Sequence, residues 1–65
     1  MKKNEIQDPV IIQAVPALMS GKATKFNCEG DLVWMPNSQF NYDAEKEELE
    51  IPRWLAREKF PNENF

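Results

Sequence analysis

The sequence predicts an α+β domain: a small antiparallel β-sheet of about four strands, flat or curled toward a partly open barrel, with one C-terminal helix packed across it. Three observations carry this. Residues 10–15 form a β-branched run between two prolines, residues 22–35 read as a hairpin, and Pro52 opens a stretch of good helix formers that ends at Pro61.

Residues 1–8 are polar and read as a flexible N-terminus, residues 9–60 as the single domain, and residues 61–65 as a flexible tail. Val10-Ile11-Ile12-Gln13-Ala14-Val15 has strand composition. Pro16 cannot donate to a ladder, so the strand ends there or continues through Ala17-Leu18-Met19 on an edge or through a bulge. Ser20-Gly21 signals a turn. From Lys22 to Cys28 the chain alternates, which turns Thr24, Phe26 and Cys28 toward the core. Glu29-Gly30-Asp31 is the next turn, and Leu32-Val33-Trp34-Met35 the strand that returns from it.

Pro36-Asn37-Ser38 halts that strand, residues 39–43 are extended or looped, and residues 44–47 form an exposed connection. Glu48-Leu49-Glu50-Ile51 alternates again, with Leu49 and Ile51 inward. Pro52 suits the first helical position, where its missing N–H costs nothing. Two to three turns of helix do not hold alone, so the segment must dock, through Trp54 and Leu55. Trp34 and Trp54 are the expected core pair, while Phe40 and Tyr42, in a polar stretch, are the expected exposed aromatics.

At 65 residues the core is thin, burying roughly 60% of the unfolded surface. Such domains commonly add disulfides, metals or a partner subunit. One cysteine and no histidine exclude an internal disulfide and the usual zinc ligand sets. They also leave no Ser-His-Asp or Cys-His arrangement. The two lone glycines build no phosphate-cradling loop. The expectation is therefore a protein that is not an enzyme and has no cofactor. Cys28 reads as a small buried apolar residue, because nothing near it in sequence could act as its base. A lone cysteine, no signal-peptide core and no long apolar stretch point to a cytoplasmic location without membrane association.

The net charge of −3 is unevenly distributed. Residues 1–27 carry +2, residues 28–50 carry −6 and residues 51–65 carry +1. An acidic middle disfavours general nucleic-acid binding, which needs a basic surface, and suits a basic protein partner. Candidate partner-binding residues are Phe40 and Tyr42, the acidic side chains Glu45, Glu47 and Glu48, and the arginines Arg53 and Arg57. Aromatic and arginine side chains are favoured interface anchors. Aromatics on a small sheet beside Lys22 and Lys25 would alternatively suit single-stranded nucleic acid. The free edges of so small a sheet leave a homo-oligomer open.

Trp34-Met35-Pro36-Asn37-Ser38-Gln39 resembles the W-[I/M]-P-x-S-Q signature of short uncharacterised bacteriophage and prophage proteins. Residues 51–59, Ile-Pro-Arg-Trp-Leu-Ala-Arg-Glu-Lys, are similar to their closing P-x-W-L-A-x-x-K pattern, and residues 22–26 to a strand that precedes both. The resemblance covers roughly residues 22–60, departs at Met35 and Phe26 in packing residues, and transfers no functional residue. It implies an order of elements and an accessory protein of phage type. Such a protein would bind a host or phage protein, as a host-takeover or anti-defence factor, in the cytoplasm of a bacterial host. Alternatives are a nucleic-acid-binding factor of replication or recombination and a structural subunit of a larger assembly. Ser38 and Gln39 have two readings, satisfying backbone groups at the turn or contacting a partner.

Overall fold

The computed structural model describes residues 4–65. It is an α+β fold of two three-stranded antiparallel sheets and one C-terminal helix, and no closed barrel forms among the described residues. The strands are β1 (Pro9–Gln13), β2 (Val15–Met19), β3 (Ala23–Cys28), β4 (Asp31–Pro36), β5 (Asn41–Asp43) and β6 (Glu48–Pro52). A single 3-10 turn, Asn37–Gln39, follows β4, and helix α1 (Arg53–Lys59) follows β6. The first sheet has the order β1-β6-β5 and the second β2-β3-β4.

The expected single sheet of about four strands is thus replaced by two sheets, and the cause lies at Ala14. The β-branched run is not one strand. Residues 9–13 pair with β6 and residues 15–19 with β3, so the chain changes sheets at one buried alanine. Corners of this kind let two small sheets cover each other. Pro16 sits on β2, an edge strand, and the register shifts between Pro16 and Leu18. Edge position and bulge are the two settings in which a strand tolerates proline.

The β3–β4 hairpin has the register read from its alternation, with Thr24, Phe26 and Cys28 all buried. Its two-residue turn holds Glu29 at φ 53° and Gly30 at φ 101°. Positive φ at both central residues is the type I′ pattern that matches strand twist. Leu49 and Ile51 of β6 are fully buried.

Around them the core gathers Phe26, Met35, Leu55, Ala56 and Phe60, with Ala14 and Cys28. Pro52 caps α1 as the last residue of β6, one position before the first helical turn. Leu55 and Ala56 face the core, and the cations Arg57 and Lys59 lie in the last turn, where the helix dipole favours them.

Both tryptophans depart from expectation. Trp54 is 57% exposed and Trp34 is 39% exposed, so they do not form a core pair. In α1 the buried positions are the adjacent Leu55 and Ala56, which turns Trp54 away from the sheets. In β4 the phase is set by Met35, which is completely buried and places its neighbour Trp34 on the opposite face. The core aromatics are Phe26 and Phe60, with Phe40 and Tyr42 packed against the core. Phe40 meets Phe26 edge-on at 5.0 Å between ring centroids, and Tyr42 lies at 5.3 Å. Half-buried against the core, Phe40 and Tyr42 are not the exposed pair their polar neighbours suggest.

Of the expected flexible N-terminus, residues 1–3 lie outside the described residues. Asn4 exchanges hydrogen bonds with Asn41 and donates to the carbonyls of Asn37 and Phe40. At the other end Phe65 rests against Phe60, and Arg57 Nε donates to its backbone oxygen. Among the described residues no helix is long and apolar enough to cross a membrane.

Candidate protein interface

Each sheet turns one face to the core, no second layer covers the other among the described residues, and the two outer faces differ in chemistry. On the first sheet the cross-strand rows Ile11–Glu50–Asn41 and Gln13–Glu48–Asp43 share the outer face. The alternation of β6 decides this, since Leu49 and Ile51 point inward and Glu48 and Glu50 must then point out.

Beyond Asp43 the chain turns back to β6, and the side chain of Asp43 organises that turn. Its Oδ1 accepts from the backbone N–H of Glu45 at 3.1 Å and of Lys46 at 3.3 Å. Glu47 completes the turn in the left-handed region, at φ 53°. The result is a shallow depression of about 440 Å³ lined by Ile11, Tyr42 and the carboxylates of Asp43, Glu45, Glu48 and Glu50. Ile11 stands 53% exposed.

Among the described residues these carboxylates have no cationic partner. The one ion pair among the described residues joins Arg53 Nε to Asp8 Oδ2 at 3.0 Å, and neither residue lines the depression. Glu50 Oε1 accepts from Asn41 Nδ2 at 2.9 Å, a neutral donor that orients it without cancelling its charge. Partial burial, followed by the charges of Glu47 and Asp43, holds the Tyr42 phenol above its ordinary pKa. Tyr42 is therefore neutral at physiological pH, and its hydroxyl is committed to the carbonyl of Ala14 at 2.8 Å.

The sequence-based candidates divide accordingly. Tyr42, Glu45 and Glu48 meet in the depression. Glu47 does not line it and faces a second hollow beside Glu29 at the Ala14 corner. Phe40 packs inward. Arg53 is engaged structurally, with its backbone N–H on the Asp8 carbonyl and its side chain on the Asp8 carboxylate. Arg57 is tied to Phe65.

Ile11, Asp43 and Glu50 also belong to the acidic face, beyond the sequence-based candidates. The alternation that turned Leu49 inward also placed Glu50 beside Glu48, so that signal was present. Three consecutive β-branched residues hid which of residues 10–12 points outward.

The outer face of the second sheet is apolar around a single cation. Rows Leu18–Lys25–Trp34 and Val15–Asn27–Leu32 share it, and Leu18, Val15, Leu32 and Trp34 are all exposed. Lys25 Nζ stands 5.7 Å from the centroid of the Trp34 ring, a cation–π distance. Among the described residues no group of three or more acidic, cysteine or histidine side chains is arranged to hold a metal ion. The free thiol of Cys28 is buried, and burial, with Asp31 and Glu29 nearby, pushes its pKa up to about 11. Such a thiol is a poor nucleophile at neutral pH.

Compared with models of protein families, with curated proteins and with solved structures, the chain matches none at a significant level.

Proposed function

We propose that this protein is a non-catalytic binding module that recognises a basic protein through the outer face of the β1-β6-β5 sheet. The carrying observation is the set Asp43, Glu45, Glu48 and Glu50, without an ion-pair partner among the described residues, gathered around the exposed Ile11. Unpaired carboxylates raise the local concentration of cationic partners, and an apolar side chain among them supplies area to desolvate. A lysine- or arginine-bearing segment with one apolar residue fits that chemistry. The resemblance of residues 22–60 to short phage and prophage proteins supports placing the partner in a bacterial cytoplasm, as the target of an accessory factor.

A second reading rests on a different surface. Lys25 over Trp34, in an otherwise apolar sheet face, is the kind of platform on which single-stranded nucleic acid stacks. The acidic opposite side disfavours it.

The test is a pull-down from bacterial lysate with immobilised protein, with and without nuclease, comparing the native chain with the double variant Glu48→Gln/Glu50→Gln. A basic protein retained after nuclease and depleted roughly tenfold by the double variant supports the acidic-face reading. Recovery that disappears with nuclease, or that is lost only in Trp34→Ala, rejects it in favour of the strand-binding reading.

A further inference from the structure

The two sheets offer four edge strands, and three are blunted. On β2, Pro16 lacks an N–H and the register shifts before Leu18. β5 is three residues long and Asn4 bonds to it. β1 begins with Pro9, and across a hollow beside it stand Phe60, Glu63 and Phe65. Proline, bulges, short length and covering segments are the usual protections against edge pairing. Among the described residues, β4 has none of them within residues 31–35, and it pairs in unbroken register with β3 alone.

The hydrogen-bond phase of β4 identifies which groups are free. A two-residue turn is closed by a hydrogen-bonded pair, here Cys28 and Asp31, and every second pair thereafter exchanges bonds. The Asn37 N–H on the Lys22 carbonyl at 2.9 Å lies in the same phase. Val33 and Met35 therefore bond to β3. Leu32 and Trp34 aim both N–H and C=O away from the sheet. Their side chains are exposed on its outer face.

We infer that β4 pairs with β4 of a second copy of this chain, antiparallel about a two-fold axis at Val33. In that register Leu32 lies opposite Trp34 of the other copy and exchanges two hydrogen bonds with it, and the symmetric pair exchanges two more. Every free donor of the strand is then used. Moving the register by two residues in one direction sets Leu32 against Pro36, which has no N–H. The opposite shift sets Trp34 against Gly30, whose N–H is already held by Asn27 Oδ1 at 2.8 Å. No charged residue lies between Leu32 and Met35, so the two-fold brings no like charges face to face. The leucine and tryptophan of each copy cover one another on the outer face. A continuous six-stranded sheet results, and it supplies a subunit contact of the kind that thin domains commonly add. This inference goes beyond the partner-binding reading and is independent of it, because β4 belongs to the other sheet.

Sedimentation velocity of the full chain, from about 10 µM to about 1 mM, spans the range expected of a small reversible interface. The expected result is a shift from monomer to dimer, abolished by Leu32→Lys, an exposed substitution whose folding circular dichroism checks. In a Cys28→Ala background, Val33→Cys should form a symmetric disulfide under mild oxidation, because non-hydrogen-bonded pairs bring Cα atoms to about 4.5 Å. Leu32→Cys, opposite Trp34, should not. A monomer throughout, a dimer that survives Leu32→Lys, or oxidation that favours Leu32→Cys over Val33→Cys would each overturn the inference.

Discussion

The Tyr42 hydroxyl donates to the carbonyl of Ala14 at 2.8 Å, at the residue where the chain leaves one sheet for the other. The N–H of the same alanine donates to the Glu47 carbonyl at 3.0 Å. Both backbone groups of the corner are thus satisfied by the β5–β6 segment, which lets a buried residue belong to neither ladder. Tyr42→Phe keeps the ring on Phe26 but strands the carbonyl of Ala14 without its donor. A buried acceptor left unpaired costs its desolvation, so the melting temperature should fall by roughly 5 °C. Thermal circular dichroism measures this, and an unchanged midpoint would show that the corner does not depend on the bond.

Cys28 makes stability fall with alkaline pH. Burial, then Asp31 and Glu29, raises its pKa from 9.0 to about 11. The unfolded chain releases this proton near pH 9 while the folded chain still holds it. The stabilisation from keeping the thiol neutral is therefore complete below pH 9 and is lost as pH rises toward 11. Tyr42, also shifted upward, adds to the same slope from about pH 10. Melting temperature should decline from pH 9, and Cys28→Ala should flatten the interval between pH 9 and 10. At pH 8 the folded thiolate fraction should be about 100-fold below that of a free cysteine, making disulfide-exchange reagents slow until the protein is denatured.

The legible parts of the sequence were those in which short-range pattern and tertiary structure agree. Thr24-Phe26-Cys28 and Leu49-Ile51 could be turned inward because period-two alternation has only two phases. Residues 10–19 offered no such phase. Val10, Ile11 and Ile12 are all β-branched, and the change of sheet at Ala14 depends on residues more than 25 positions away. The tryptophans misled for a related reason. Size suggests burial, but Met35 and Leu55 took the inward positions of their elements and left Trp34 and Trp54 outside. The acidic residues were visible as a run. Only the antiparallel register of β1 and β5 against β6 showed that Ile11 and Asp43 complete their face.

The β3–β4 turn carries a correctable strain. Glu29 occupies φ 53°, a region that costs a residue with a Cβ and is best tolerated by glycine, asparagine and aspartate. Its neighbour Gly30 already meets the requirement, and Asn27 Oδ1 holds the Gly30 N–H. Glu29→Asn creates the Asn-Gly dipeptide favoured in type I′ turns and should stabilise the fold by about 0.5–1 kcal/mol. Gly30→Ala, at φ 101°, should destabilise it by at least about 1 kcal/mol. Urea titration distinguishes the two signs, and a loss of stability in Glu29→Asn would mean that the glutamate makes a compensating interaction.

Within the Trp34–Gln39 motif, neither Ser38 nor Gln39 makes a side-chain hydrogen bond among the described residues, and the polar contact is made by Asn37 instead. The buried Thr24 hydroxyl donates to Asn37 Oδ1 at 2.8 Å, linking the second strand of the hairpin sheet to the turn after the third. The two partners differ in exposure, so their deletions should differ in cost. Asn37→Ala leaves the Thr24 hydroxyl buried without an acceptor, a loss of about 1–3 kcal/mol. Thr24→Val replaces that hydroxyl with a methyl group and leaves Asn37, half-buried, to bond with water, a loss below about 1 kcal/mol. Once Thr24 is valine, the penalty of Asn37→Ala should shrink, so the double variant costs less than the two single losses added together. Urea denaturation of the four proteins in this cycle measures the coupling. If Thr24→Val proves the costlier single change, the hydroxyl is held by something other than Asn37, and the motif's structural role lies elsewhere.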